Sequence, residues 1–294
     1  MHAYMIIAHN QFELLEKLIL CLDDKRNDIF IHIDAKVKDF DFEYFSSLTK
    51  FSKVYFTDER IDVTWGGYSV VKSEMLLLKT AVSHNDENNP YTYYHLISGV
   101  DLPIKTNDEI YNFFEHNSGK EFIHYVTLET LETAVDRVKY YHFFRKKRNT
   151  INKILARIAL KIEKFLGVNR LKNTDIKVYK GSNWFSITGE LAEYIVDNQK
   201  EYEKMFKYSF CCDEIFIQTI VQNSSFKNNL FMPVSNDDYY ACARFIDWKR
   251  GNPYVFRKED FDMIKSSPCM FARKFDLYTD NEIVDMIIKS ISNG

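Results

Sequence analysis

Apolar and polar positions change period several times along the first hundred residues. Residues 3–8 form an apolar run too short for a helix, which predicts a buried strand. Across 12–22 the apolar positions Leu14, Leu15, Leu18, Ile19 and Leu22 fall on one helical face. Residues 28–33 return to strand and end at Asp34, and 54–56 is a further short strand. An amphipathic helix is expected over 70–82, then another strand over 93–97. Strands and helices alternating at this spacing predict an α/β fold with a mostly parallel central sheet flanked by helices. In such sheets ligands sit beyond the carboxyl ends of the strands. Asp34, Gly66, Gly67 and Asp101 all follow strands or precede helices, and are therefore candidates for a cleft.

The second half is less regular. Residues 175–187 read as mostly extended, passing through Gly181-Ser182-Asn183-Trp184, and 190–198 as helical. The run from Cys211 and Cys212 through Asp213 and Glu214 into Ile215, Phe216 and Ile217 reads as a helix with two carboxylates at its mouth. There Asp213 is expected to cap the helix and Glu214 to face whatever the helix mouth faces. No internal repeat, low-complexity tract or Gly/Ser linker divides the chain, so residues 1–294 are expected to form one domain.

A net charge of −3 gives no overall attraction to nucleic acid or to anionic membranes. The five cysteines are odd in number and include no Cys-x-x-Cys pair, so neither a disulfide framework nor a zinc site is expected. With no basic leader ahead of the first apolar run, a cytoplasmic protein is expected. Residues 145–172 depart from this balance, with ten Lys or Arg against the single acid Glu163. Ile151, Ile154, Leu155, Ile158, Ile162, Phe165 and Leu166 recur there at helical spacing. One reading is a surface helix docked through its apolar face with its charges in water. A second is an interfacial helix resting on an anionic bilayer, giving peripheral membrane contact. No nucleic-acid-binding motif accompanies the charge, so a nucleic-acid partner is not expected.

A sheet of this kind, a carboxylate at a helix mouth, aromatic-glycine segments and late basic residues suit a nucleotide-sugar transferase. Such an enzyme needs a base for the acceptor hydroxyl and cations for the departing diphosphate. The chain resembles the core-2/I-branching β-1,6-N-acetylglucosaminyltransferase family, which also contains peptide O-xylosyltransferases. The likeness lies in Ile31-His32-Ile33-Asp34, in Thr64-Trp65-Gly66-Gly67-Tyr68 and in Ser98-Gly99-Val100-Asp101-Leu102-Pro103. It continues in Gly181-Ser182-Asn183-Trp184-Phe185, Asp213-Glu214, Arg244-Phe245-Ile246-Asp247-Trp248 and Phe271-Ala272-Arg273-Lys274-Phe275-Asp276.

The resemblance implies a GT-A fold and inverting transfer of a sugar, N-acetylglucosamine or alternatively xylose, from a UDP-sugar donor. The implied acceptor is a glycan or lipid-linked glycan in cell-surface polysaccharide synthesis. A catalytically inactive carbohydrate-binding relative is the reading from a different class. Glu214 matches the family's catalytic base and Lys274 a lysine that binds the donor diphosphate, with either Arg250 or Arg257 as its partner. Trp248 matches an aromatic lining the acceptor, with Arg137 and Lys139 placed beside it. Asp34, Gly66, Gly67 and Asp101 are assigned to the nucleotide. After strand 93–97, where a metal-using relative would carry Asp-x-Asp, the chain has Ser98-Gly99-Val100-Asp101. No divalent metal or other cofactor is therefore expected. Asp39-Phe40-Asp41 fits Asp-x-Asp literally but is read as chance.

Overall fold

A computed structural model describes residues 1–127, 131–144, 149–234 and 237–292, with backbone only for 131–133. The first third follows the alternation of its sequence. In order come β1 (His2–Ala8), α1 (Phe12–Leu22), β2 (Asn27–Ile33), the short α2 (Phe42–Ser46), β3 (Lys53–Phe56), α3 (Ser69–Ser83) and β4 (Tyr93–Ser98). Each strand begins at or one residue before its expected start. Asp41 of the Asp-x-Asp match accepts from the Tyr44 N–H at 2.9 Å and so caps α2.

Next come β5 (Leu102–Pro103), α4 (Asn107–His116), β6 (Phe122–Ile123), α5 (Leu131–Lys139), α6 (Thr150–Phe165), β7 (Phe185–Thr188), α7 (Gly189–Asp197) and α8 (Gln199–Phe206). The chain closes with α9 (Phe216–Gln222), β8 (Arg244–Ile246), α10 (Phe261–Ser266), β9 (Phe271–Arg273) and α11 (Asn281–Ser292). The central sheet has the order β3-β2-β1-β4-β7-β6, in which β7 alone runs against the rest. This is the helix-flanked, mostly parallel α/β arrangement that the GT-A expectation describes. A second sheet, β5-β9-β8, is built from the loop after β4 and from the tail.

Period-two alternation explains how the sheet buries both faces. On β1, Ala3 and Met5 face α3, α7 and α9, while Tyr4, Ile6 and Ala8 face α1, α4 and the second sheet. Parallel register carries the division across, pairing Met5 with Phe30 and Leu96, and Ile6 with Ile31 and Ile97. Strands buried on both sides read as continuous apolar runs, which is why 3–8 shows no alternation in sequence.

The extended stretch expected over 175–187 is strand only at Phe185–Thr188. Before it the chain is irregular and bonded to its surroundings, with the Val126 N–H donating to the Lys180 carbonyl at 3.0 Å. His32 and His95 are packed structural groups. His32 Nε2 accepts from the Ile61 N–H at 2.8 Å, and His95 lies 2.7 Å from Ser186 Oγ and 3.1 Å from His2. Burial pushes the His32 pKa down to about 4.

Arg244 on β8 joins the two sheets. Its side chain is fully buried, and its guanidinium donates to Ser186 Oγ (2.6 Å) and to the carbonyls of Leu96 (3.1 Å), Phe185 (2.6 Å) and Cys242. It also lies 4.9 Å from the Phe271 ring centre. Burial lowers its pKa to about 10. Replacing it strands carbonyls in an apolar environment and leaves a void, so Arg244→Ala should lose about 3 kcal/mol or more of stability. Urea unfolding is the measurement, and a midpoint within a few tenths of a molar of wild type would show the contact to be dispensable.

Candidate active site

The acidic turn differs from its sequence expectation. Residues Cys212–Glu214 form one 3-10 turn, and α9 starts only at Phe216, with Ile215 as its N-cap and no side-chain cap. Asp213 therefore does not cap the helix, and its Oδ1 is buried without a hydrogen-bond partner. Burial first, and then the neighbouring Glu214 charge, push the Asp213 pKa up to about 6, with Arg137 opposing. Beneath it lies Glu74 of α3, 2% exposed, with the Asn183 side chain as its polar neighbour. Burial and the Asp213 charge hold the Glu74 pKa well above the carboxylate range. The thiol of Cys212 is likewise raised by burial, contrary to the lowering a helix mouth would give.

Glu214 turns the other way, with its side chain 39% exposed. Arg137 Nη1 of α5 donates to Glu214 Oε2 at 2.8 Å, and Lys180 Nζ lies 3.6 Å from the same oxygen. Arg137 thus sits on the carboxylate itself. Lys139, paired with it in the sequence reading, is two residues further along α5, about 200° round the helix. Its ammonium is over the Tyr140 ring at 5.3 Å, away from Glu214.

Five residues before β7 organise what faces Glu214. Besides the Lys180 contact, the Gly181 N–H donates to the Glu214 carbonyl at 2.8 Å. Ser182 N–H donates to His124 Nδ1 (3.1 Å), and Gln218 Nε2 of α9 donates to the Ser182 carbonyl (2.6 Å). Trp184 carries the Arg273 guanidinium 4.0 Å from its ring centre. The segment from Lys180 to Trp184 spans at most about 14 Å of extended chain. It therefore connects the carboxylate turn to the tail segment over the length of one small ligand.

At the tail end, Arg273 is the residue that sequence reasoning missed. Its Nε lies 3.6 Å from Asp101 Oδ1, an ion pair too long for a hydrogen bond, and Nε and Nη1 are buried without hydrogen-bond partners. Burial lowers its pKa and Asp101 opposes the shift. A buried cation with spare donors is what an anionic ligand would complete. The signal was available, since Arg273 adjoins Lys274 in the same motif. Lys274 is partly exposed, and its backbone is bonded to Tyr254 and Phe256.

Of the two arginines expected beside Lys274, Arg250 is committed elsewhere. It contacts Asp247 at 2.5 Å and Asp260 at 2.7 Å, and stacks 4.0 Å over the Tyr254 ring. It braces the loop whose tip is Trp248. Arg257 is exposed, one residue beyond the Phe256 N–H that donates to the Lys274 carbonyl.

Asp101 is 1% exposed and accepts from the Ser98 N–H (3.0 Å) and hydroxyl (2.7 Å). It supports Arg273, and as placed it does not face the cleft. Asp34 ends β2 and accepts from the Lys36 N–H at 2.8 Å, while Arg60 holds its carbonyl at 2.7 Å. Gly66 has φ +73°, and a Cβ there would meet Phe210 at 2.8 Å and Cys211 at 3.2 Å. Its carbonyl accepts from the Cys211 N–H at 2.9 Å, so the turn is pressed against the chain that leads into Glu214. Gly67 closes the same turn through its N–H to the Thr64 carbonyl. Packing and a positive φ account for glycine at 66, and the nucleotide contact expected of both glycines stays a proposal.

Trp248 is 46% exposed, which excludes a core role. It is 6.3 Å from Tyr239, whose other face stacks on His124 at 4.0 Å. His124 Nε2 in turn lies 3.1 Å from Asp237, and burial lowers its pKa. A cavity of about 720 Å³ opens beside this row, walled by Tyr239, Phe245 and Met263 among others.

The sequence model of the Core-2/I-Branching enzyme family matches residues 2–273, which takes in Glu214 and Arg273 and ends one residue before Lys274. The chain belongs to that family. Human Xylosyltransferase 1 is similar to it, 23% identical over 303 residues, covering 97% of this chain and 30% of that protein. Rat Xylosyltransferase 2 is 22% identical over 300 residues, covering 97% and 33%. The chain thus spans about a third of the length of these curated relatives. Among solved structures, apo mouse xyloside xylosyltransferase 1 aligns over 92% of this chain and 96% of its own, with 10% identity and a TM-score of 0.37.

Gly181 is the position in this site least able to change. A Cβ there would lie 1.8 Å from the His124 carbonyl oxygen, which is backbone and cannot swing aside. Gly181→Ala should cost at least about 3 kcal/mol, because His124 or Glu214 must move. A melting temperature equal to wild type would show that this approach is looser than it stands.

Proposed function

We propose that the protein is an inverting glycosyltransferase that moves a sugar from a UDP-sugar to a glycan hydroxyl. The observation that carries the reading is Glu214, partly open to solvent and held by Arg137 and Lys180, within one short segment of the Arg273–Lys274 cations. Family membership supports the same reaction class.

In this reading the acceptor hydroxyl attacks the anomeric carbon and its proton passes to Glu214. The bond from that carbon to the phosphate oxygen breaks as the new glycosidic bond forms, and the electron pair leaves with UDP. Lys274 and Arg273 neutralise the charge that develops on the diphosphate. One carboxylate suffices, since a single displacement forms no covalent intermediate. Tyr239 and the exposed Trp248 offer ring faces to an acceptor sugar. Asp34, at the end of β2, lies where parallel sheets receive nucleotides.

The donor sugar is where two readings stand. N-acetylglucosamine follows from the branching-enzyme motifs, and xylose is favoured by the names of the curated relatives. We place the acceptor in surface-polysaccharide synthesis, as a glycan free or carried on lipid. A thermal-shift screen of UDP-xylose, UDP-N-acetylglucosamine, UDP-galactose and UDP-glucose separates the donors, since a binder stabilises the folded state alone.

Glu214→Gln keeps the shape and removes the base, so turnover should fall by about two to four decades while UDP binding persists. Turnover near the wild-type rate would remove Glu214 from the mechanism.

Transfer is further proposed to need no divalent metal. What supports this is that the one acid after β4, Asp101, has its oxygens engaged by Ser98 and faces Arg273, and that Arg273 and Lys274 bring two positive charges on one tail segment. Activity should survive EDTA, and Arg273→Ala and Lys274→Ala should each weaken UDP binding about tenfold or more. Arg250→Ala should affect stability in preference to UDP affinity. Loss of activity in EDTA with recovery on manganese would overturn the metal-free reading.

A further inference from the structure

Helix α6 presents its surroundings with three distinct faces. At 3.6 residues per turn, Asn152, Ala156, Ala159, Leu160 and Glu163 occupy one arc of about 100°, and these are the residues that dock on the protein. The docking is secured by Glu163, which accepts from the Tyr141 N–H at 2.7 Å, and by Lys164 to Asp136 at 2.9 Å. A second arc carries Lys153, Arg157, Lys161 and Lys164, all exposed. The third, about 120° wide, carries Ile151, Ile154, Ile158, Ile162 and Phe165, with Leu166 at the end of the helix. These six are 49–90% exposed, Phe165 the most. Of the two readings of this helix, docking through the large apolar face is therefore corrected: α6 docks through the arc of Ala156, Ala159 and Glu163 and turns most of its large apolar side chains outwards.

We infer that α6 is an interfacial helix that seats the protein on an anionic lipid surface. Six large apolar side chains facing water along one helix form a contiguous patch, and such patches mark binding surfaces. The neighbouring arc decides the occupant. Lys153, Arg157 and Lys161 stand on α6 with no exposed acid on that helix, Lys164 being held by Asp136, in a chain whose net charge is −3, so the positive charge is local to this patch. Lying in the plane of a bilayer, the helix buries its apolar arc at the acyl boundary. The stems of Lys153, Arg157 and Lys161 then extend alongside, carrying their charges to the headgroups. A second copy of the chain fits less well, because pairing two such faces brings like charges together. Among the described residues no helix is long and apolar enough to cross a membrane, so the contact is with a surface.

The test uses the full chain and co-sedimentation with vesicles of phosphatidylcholine alone or mixed with phosphatidylglycerol. Binding is expected on the anionic vesicles and should weaken with added salt. Replacing Lys153, Arg157 and Lys161 together with Gln should reduce partition about a hundredfold. Phe165→Ser with Leu166→Ser should reduce it at least about tenfold. Every substituted side chain is exposed, so circular dichroism and melting temperature should be unchanged in both variants. Equal recovery on neutral and anionic vesicles overturns the inference, as does undiminished binding by both variants. A dimer in solution that dissociates on Ile158→Ser, without vesicle binding by wild type, also overturns it and assigns the face to a second copy.

Discussion

The burial of one guanidinium fixes how the two sheets meet. Arg244 belongs to the small sheet, yet its donors end on carbonyls of β4 and β7 in the large one. A charge placed there loses its hydration, and the geometry is tolerable only because carbonyls and a hydroxyl surround it. The candidate site is split along that joint. Glu214 and the segment from Lys180 to Trp184 belong with the large sheet, while Arg273, Lys274 and Trp248 arrive on β9, β8 and their flanking loops. The distance between Glu214 and the Arg273–Lys274 pair is therefore set by a contact that touches neither. Asp101 and Trp184 complete the joint by gripping Arg273 from the large-sheet side.

The acidic turn shows a second constraint, since it is held at a cost in stability. Glu74 and the unpartnered Oδ1 of Asp213 are packed behind Glu214 with raised pKa values. A carboxyl whose folded pKa lies above its unfolded value binds more protons when folded. For Asp213 this stabilisation is present below pH 4 and is lost as pH rises towards 6. At neutral pH, above both values for Asp213, this contribution is gone. The effect of these buried carboxyls is geometric: the turn faces Asp213 inwards and leaves Glu214 facing out. Local cost of this kind is characteristic of sites that must hold a reactive group in one orientation.

The first hundred residues were legible because their elements are determined locally. Strands of β1 and β2 are apolar on both faces, and α1 and α3 carry single stripes, so period and length together identify them. The candidate base was legible through its motif, although its surroundings were not. A helix cap was the natural reading of Asp213 in sequence, whereas the structure inserts a 3-10 turn because the chain must bend to meet Gly66 and Gly181. Contacts such as Gly181 with His124 or Arg137 with Glu214 join residues far apart in sequence, and no local pattern encodes them. Arg250 and Arg257 were exchangeable on paper, and Arg273 was passed over. Only tertiary partners separate an arginine sated by two aspartates from one buried with spare donors. In α6 the period was read correctly and the direction of the docked reading was not, because periodicity reports that a helix has two faces without saying which is covered. Ala156 and Ala159 held the missing information, since small residues let a helix approach its neighbour closely.

That reversal changes how the site stands towards its surroundings. α6 is fastened to the α5 region through Asp136 and Tyr141, and the Arg170 N–H beyond it donates to the Lys139 carbonyl at 3.0 Å. Arg137 of the same helix holds Glu214. The outward apolar face is thus on a helix fastened to α5, and α5 in turn holds the exposed Glu214 carboxylate, while Arg273 and Lys274 are carried by the other sheet. An acceptor anchored in a lipid surface would reach the protein from the α5–α6 side, and a soluble nucleotide-sugar would enter over the ends of the parallel strands. In the proposed displacement the attacking acceptor oxygen and the departing phosphate oxygen stand on opposite sides of the anomeric carbon, and a fold divided in this way would hold the two groups on separate elements.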